Sequence, residues 1–255
     1  MMTKKAVMDF TVEDNERISP LYSLLKLTPV EGPLPATRPG QFVQVEVPHS
    51  KTTYLRRPIS INYVDGDTLW LLIRRAGAGT ASLIATPVGA RLNLVLPLGN
   101  GYTTHLDGQV LLVGGGVGVA PLLYLGQVLK EQGKQVRFLL GARSAADLLE
   151  LDHFKAIGET CVSTEDGSMG EPGFVTQHSV LQEHIDHIAC CGPQPMMQAV
   201  ARIARERGID CEVSLENMMA CGLGACLCCV EDTRDKGNVC VCKEGPVFNI
   251  NRLKW

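Results

Sequence analysis

The sequence predicts a multidomain fold: an N-terminal antiparallel β-barrel, a central α/β parallel-sheet domain, and a small C-terminal domain organised by a metal centre. Three observations carry this prediction. Short alternating apolar stretches fill the first segment; buried-strand and helix patterns then alternate; glycine and cysteine crowd the end. The expected boundaries are 1–103, 104–211 and 212–255. A chain of 255 residues also exceeds the ~100 to 200 residues usual for one domain.

In the first segment, up to about Tyr102, QFVQVEV, SINYV and TLWLLIR are separated by proline, glycine or VDGD turns. Period-2 runs bounded by such turns read as antiparallel strands. From Gln109 the run VLLVGGG leads into a helical stretch ending near Glu131, then the strand VRFLLG, more helix, and a late strand near IDHIACCG. That alternation is the signature of a parallel sheet covered by helices. Beyond Cys211 the periodicity stops, so the remaining residues must fold around something other than an apolar core.

Composition removes several function classes. Hydrophobic residues at 45% and charged residues at 20% fit a globular chain with real cores. Lysine and arginine total 24 against 27 acidic residues, without a basic run, so there is no electrostatic footprint for nucleic acid. The apolar stretch from Val110 to Leu125 is broken by glycines and a proline and is shorter than the ~20 residues of a membrane span. The start, MMTKKAVMDF, lacks a signal-peptide core. Six of the ten cysteines lie between Cys221 and Cys242. Without an export signal, these are expected as reduced thiols in the cytoplasm, some of them bound to metal.

In CGLGACLCC, Cys221 is followed after four residues by Cys226 and after two more by Cys229. Gly222 and Gly224 let the backbone bend closely around a cluster. Three thiolates on one tight loop, completed by a distant fourth, form the ligand plan of plant-type 2Fe-2S proteins. Four-cysteine zinc sites usually build from two CxxC knuckles, and only Cys226 to Cys229 is a clean one. Free structural thiols are the third reading. Spacing leaves Cys240 and Cys242 both open as fourth ligand, with Cys228 a further thiol inside the loop.

GGGVGVAP, with Gly114, Gly115, Gly116, Gly118 and Pro121, follows a strand and opens a helix. Its N-H groups and the helix start suit a pyrophosphate, although Pro121 stands where the third glycine of the usual fingerprint would be. A plain tight turn is the alternative. CGPQPMM, with Cys191, Gly192 and Pro193, ends another strand at the edge where ligands collect in open α/β sheets. Cys190 and Cys191 equally fit ordinary buried small residues. In LRRPISI, Arg57 and Ser60 lie beside a fixed proline, and RRAGAGT places Gly79 and Thr80 in a flexible, N-H-rich turn; arginine and such a turn together suit a diphosphate. Each motif alone also fits a strand edge with a solvated arginine.

Taken together, RRPIS, GAGT, GGGVGVAP, CGPQPM, and MACGLGAC followed by CKEGPVF resemble the ferredoxin-NADP reductase superfamily, specifically the electron-transfer subunits of type B dihydroorotate dehydrogenase. The resemblance spans essentially the whole chain. It implies a flavin barrel, a nicotinamide domain and a 2Fe-2S domain. It also implies FAD contacts at Arg57, Pro58, Ile59 and Ser60, at Leu72, Ile73 and Arg74, and at Gly79 and Thr80. Because KEGPVF follows Cys242, the resemblance favours Cys242 over Cys240, giving Cys221, Cys226, Cys229 and Cys242 as the cluster ligands. The connecting loop is shorter than in that family, and Cys228 replaces a residue that is usually not cysteine.

The implied partner is an FMN-containing dihydroorotate dehydrogenase catalytic subunit, two of each subunit, in pyrimidine (UMP) biosynthesis. NAD is the implied electron acceptor, although the second strand of the α/β segment ends in GARS, where Arg143 suits a 2'-phosphate instead of an acidic residue suited to a ribose hydroxyl. No catalytic acid or base is assigned, since hydride chemistry belongs to flavin and nicotinamide. The rival readings are a reductase subunit of a sulfide dehydrogenase or ferredoxin-NADP reductase, and a zinc-stabilised non-enzymatic binding module.

Overall fold

Seven strands occupy the first hundred residues: β1 (Ala6–Ser19), β2 (Tyr22–Pro29), β3 (Phe42–Val45), β4 (Arg57–Ser60), β5 (Tyr63–Asp65), β6 (Thr68–Arg74) and β7 (Arg91–Leu98), with a short helix α1 (Ala78–Ile84) between the last two. The structure is a computed structural model that describes residues 4–48, 50 and 52–255. The strands form one sheet in the order β4-β3-β7-β1-β2-β6-β5, antiparallel at every pairing. Leu24, Leu25 and Leu27 of β2, Leu71 and Ile73 of β6, and Leu94 and Leu96 of β7 are fully buried and make the core of this sheet. β1 carries the polar run VEDNER, and its pairing with β2 shifts register between Val12 and Asp14 and again between Arg17 and Ser19. Such bulges bend and twist the sheet. β4, at one end of the order, comes back close to β6, so the sheet curls into a half-barrel.

The central segment contributes β8 (Val110–Gly115), β9 (Val136–Ala142), β10 (Glu159–Thr164), β11 (Glu171–Pro172), β12 (His187–Cys191) and β13 (Asp210–Ser214), together with helices α2 (Ala120–Glu131), α3 (Leu151–Ile157) and α4 (Gln194–Arg207). These strands lie parallel in the order β11-β10-β9-β8-β12-β13. The first strand of the segment, β8, therefore has the second, β9, on one side and the fifth, β12, on the other. The strand order reverses there, and such switch points are where open α/β sheets bind ligands. Pro121 sits in the first turn of α2, where a missing N-H costs no helical bond. Gly208 ends α4 with a left-handed φ of 68°, the usual helix stop.

The last segment forms β14 (Val230–Thr233) and β15 (Gly237–Cys240), which pair, then the single turn α5 (Val241–Glu244) and β16 (Val247–Asn249), which runs antiparallel along β13. Packing divides the chain into two units. One is the chain through Gly101 with Glu216–Glu231 and Gly237–Pro246; the other is Tyr102–Leu215 with Asp232–Lys236 and Val247–Trp255. Residues 212–255, expected as a separate domain, are thus shared between the two units. So short a segment cannot bury an apolar core of its own. No helix is long and apolar enough to cross a membrane among the described residues.

Candidate flavin, nucleotide and iron-sulfur sites

In the N-terminal unit, β4 (Arg57-Pro58-Ile59-Ser60) ends the sheet. It is bonded only to β3, with all four residues half-buried. Pro58 is compatible with this place because an edge strand tolerates a residue without an N-H. Among the described residues, β5 pairs with β6 from Thr68 to Trp70, and from Leu71 to Arg74 β6 pairs with β2 alone. Leu72 and Ile73 have side chains buried in the core at 2% and 0% exposure, so at this edge they present backbone and not side chain, while Arg74 is exposed. Arg57 is braced by Nη1 donating to the carbonyl of Leu55 at 2.9 Å, and its guanidinium lies close to Gly79 of α1. A Cβ added at Gly79 would come within 2.5 Å of Arg57 Nε. Thr80 Oγ1 accepts the N-H of Ala76 at 2.8 Å and that of Gly77 at 3.2 Å, closing the turn. Arginine, turn and unpaired strand edge therefore meet on one side of the half-barrel.

In the second unit, the two loops read from the sequence meet at the switch point. Cys191 at the end of β12 is in register with Gly114 of β8. A Cβ on Gly118 would lie 2.5 Å from Gly192 Cα, so the backbones touch and only glycine fits. Gly115 faces Met196 Sδ, which also lies against Gly192. Met196 flanks this cradle, and its place at the start of α4 was not evident from the sequence. Gly116 has a left-handed φ of 56°, and Pro193 directly precedes α4. Cys190 and Cys191 are buried, and burial pushes the Cys190 thiol well up, keeping it neutral. Arg143 follows β9, and its carbonyl accepts the N-H of Asp166 at 3.1 Å.

All six cysteines of the last segment fall in the N-terminal unit. Gly222 and Gly224 have φ of +68° and +82°, and these left-handed turns aim backbone N-H groups inward. Leu223 and Ala225 donate to Cys221 Sγ at 3.3 and 3.4 Å, Gly224 to Cys242 Sγ at 3.1 Å, and Cys242 to Cys229 Sγ at 3.4 Å. Cys240 behaves differently: its Sγ donates to the carbonyl of Gly224 at 3.8 Å. Burial opposes ionisation of Cys221, but the N-H donors of Leu223, Cys226 and Ala225 and the Cys226 side chain outweigh it and bring its pKa to about 6. Burial, with the thiol of Cys229 alongside, pushes Cys242 up to about 12. Thiolates this crowded need a cation among them to ionise together.

Backbone N-H groups turned to the sulfurs of Cys221, Cys229 and Cys242, in a loop with the cysteine spacing of plant-type 2Fe-2S proteins, fit an iron-sulfur cluster.

Residues 216–254 match the model for the iron-sulfur cluster binding domain of dihydroorotate dehydrogenase B, and residues 112–202 match the oxidoreductase NAD-binding domain. The chain is 40% identical over 227 residues to the dihydroorotate dehydrogenase B (NAD(+)) electron transfer subunit of Shouchella clausii, covering 85% of this chain and 86% of that one. It is 37% identical over 255 residues to the subunit of the same name from Fusobacterium nucleatum, with 95% and 96% covered. The chain belongs to the family of dihydroorotate dehydrogenase B electron transfer subunits. It is also similar to a chain in the structure of an NADH-dependent reduced ferredoxin-NADP oxidoreductase, at 28% identity and a TM-score of 0.85 over 96% of this chain and 90% of that one.

As an electron transfer subunit of dihydroorotate dehydrogenase B, the chain is part of an oxidoreductase with a separate catalytic subunit, and it works with FAD, NAD and an iron-sulfur cluster. In this family context the three places found from the sequence fall into two groups by unit. The flavin edge and the cysteine loop share the N-terminal unit, and the glycine loops lie in the other.

Proposed function

We propose that this subunit links dihydroorotate oxidation on the FMN of its catalytic partner to reduction of NAD+, in pyrimidine biosynthesis. FAD, when bound, exchanges electrons singly with the iron-sulfur cluster and as a hydride with nicotinamide. The observation that carries this reading is the row of backbone N-H groups directed at Cys221, Cys229 and Cys242, in a chain whose relatives bear the electron-transfer name.

Cys221, Cys226, Cys229 and Cys242 hold the 2Fe-2S cluster. Cys242 is preferred to Cys240 because its sulfur accepts an N-H, whereas that of Cys240 is turned to a carbonyl. Arg57, Pro58, Ile59, Ser60, Leu72, Ile73, Arg74, Gly79 and Thr80 hold FAD, with Arg57 and the Thr80 turn on the diphosphate. Gly114, Gly115, Gly116, Gly118, Pro121, Cys191, Gly192 and Pro193 hold the nicotinamide nucleotide, and NAD is preferred on the names of the relatives. The functional boundaries are 1–103 for flavin, 104–211 for nucleotide and 212–255 for the cluster. Met218, Leu223, Leu227 and Val230 are exposed around the cysteine loop, and a rim of exposed apolar side chains suits docking of the catalytic subunit. Two copies of each subunit form the complex. Among the described residues no two cysteines are joined in a disulfide, which suits the cytoplasm.

The test is anaerobic co-purification with an FMN-containing dihydroorotate dehydrogenase subunit, with iron, sulfide and FAD quantified. Dihydroorotate-dependent NAD+ reduction is expected only in the complex. A fully loaded complex inactive with dihydroorotate would move the electron donor to the ferredoxin or sulfide class, the reading that the likeness to the ferredoxin-NADP oxidoreductase supports.

A further inference from the structure

Gln44 lies on β3, in register with Pro58 of the flavin strand. It is fully buried, yet neither its Nε2 nor its Oε1 has a hydrogen-bond partner. Buried side-chain amides are nearly always satisfied, so an orphaned one calls for a ligand. Its direction is fixed by the cysteine loop: a Cβ on Gly222 would meet Gln44 Cγ at 2.8 Å and Nε2 at 3.0 Å. The amide thus ends beside the residue that follows Cys221. β3 also shifts register against β7 between Phe42 and Gln44, and a bulge at such a point re-aims a side chain. A glutamine inside an apolar strand, aimed at the cluster loop from the strand that adjoins the flavin edge, is placed between the two proposed electron carriers of this unit.

We propose that Gln44 Nε2 donates a hydrogen bond to a sulfur of the 2Fe-2S centre and thereby raises its reduction potential. The inference rests on the proposed cluster site. An N-H directed at a cluster sulfur stabilises the reduced state, which carries more negative charge, and hydrogen bonds to sulfur are one of the protein's means of setting potential. Gln44 is a positioning and tuning residue; it transfers neither electron nor proton.

The test compares the wild-type complex with Gln44→Leu and Gln44→Glu, the second nearly isosteric and lacking the N-H donor. Iron, sulfide and FAD content are measured first; absence of the cluster from wild type would refute the site itself, separately from the role of Gln44. With the cluster loaded, potentiometric titration should show the reduction equilibrium of the cluster about tenfold less favourable in both variants, ~59 mV for one electron, with the flavin midpoint unmoved. The electron paramagnetic resonance spectrum of the reduced cluster should lose a deuterium-exchangeable coupling. An unchanged cluster midpoint and spectrum in either loaded variant, or a shift confined to the flavin, would overturn the proposal. Loss of the cluster from both variants with FAD retained would assign Gln44 to holding the loop, and would overturn the tuning role as well.

Discussion

The switch-point loops and the cysteine loop are both turns rich in glycine, but they are held in opposite ways. Around Gly114 to Pro121 and Cys191 to Pro193, every turn is anchored at both ends in regular structure: two parallel strands in register and two helices of 12 and 14 residues. The proposed nucleotide cradle is thus built from the ends of regular elements. From Cys221 to Cys229 there is neither strand nor helix, and the organising contacts are N-H groups turned to sulfur. Cys226 and Cys228 are exposed, so little apolar packing holds this loop. A backbone cradle comes with its fold, whereas a thiolate cradle owes its stability to the metal it binds.

That contrast predicts its largest effect at the cysteines. Cys226→Ala should abolish cluster absorbance and dihydroorotate-dependent NAD+ reduction while FAD content and NADH oxidation by an artificial acceptor persist; retained linked activity would break the distinction. The next effect belongs to the preformed cradle. Gly118→Val must push apart two touching backbones, and denaturant unfolding should show a loss of about 1–3 kcal/mol together with a raised KM for NADH, with iron content unchanged. On the flavin edge, Arg57→Ala should raise the FAD dissociation constant roughly tenfold, ~1.4 kcal/mol, as measured by fluorescence recovery of released flavin.

The smallest effect tests the sheet scaffold. Asp186 accepts the N-H of Gln109 at 2.7 Å, next to the start of β8, and that bond holds its carboxyl below the usual range. A lowered folded pKa contributes stability that is present above the unfolded pKa and is lost as pH falls through the folded value. Asp186→Ala should therefore melt slightly earlier at neutral pH, and the difference should vanish in thermal scans taken progressively below pH 4.

The same contrast explains what was legible in the sequence. β6, β8, α2, β9 and β12 stood out because their apolar runs follow strand or helix periods without interruption. β1 did not, because half of it is VEDNER and its bulges break the alternation. The three short strands of the cysteine segment were invisible for a related reason: their pairing partners lie far along the chain or in equally short segments. The cysteine spacing and the glycine motifs point to the proposed sites, since ligand chemistry demands particular residues at particular intervals. The choice proposed between Cys240 and Cys242 rests on which sulfur accepts an N-H, and Gln44 looks in the sequence like any residue of a buried strand. Both are facts of side-chain direction, which residue order does not carry.

The most direct test of the electron-transfer account is anaerobic reduction of the complex with dihydroorotate, read by electron paramagnetic resonance in the wild type, Cys240→Ser and Cys242→Ser. A reduced 2Fe-2S signal in the wild type and Cys240→Ser, and none in Cys242→Ser, is the result expected of a cluster held by Cys221, Cys226, Cys229 and Cys242 and filled by the catalytic subunit. A full signal in Cys242→Ser would contradict the ligand set, and no signal in the iron-loaded wild-type complex would contradict the electron-transfer role.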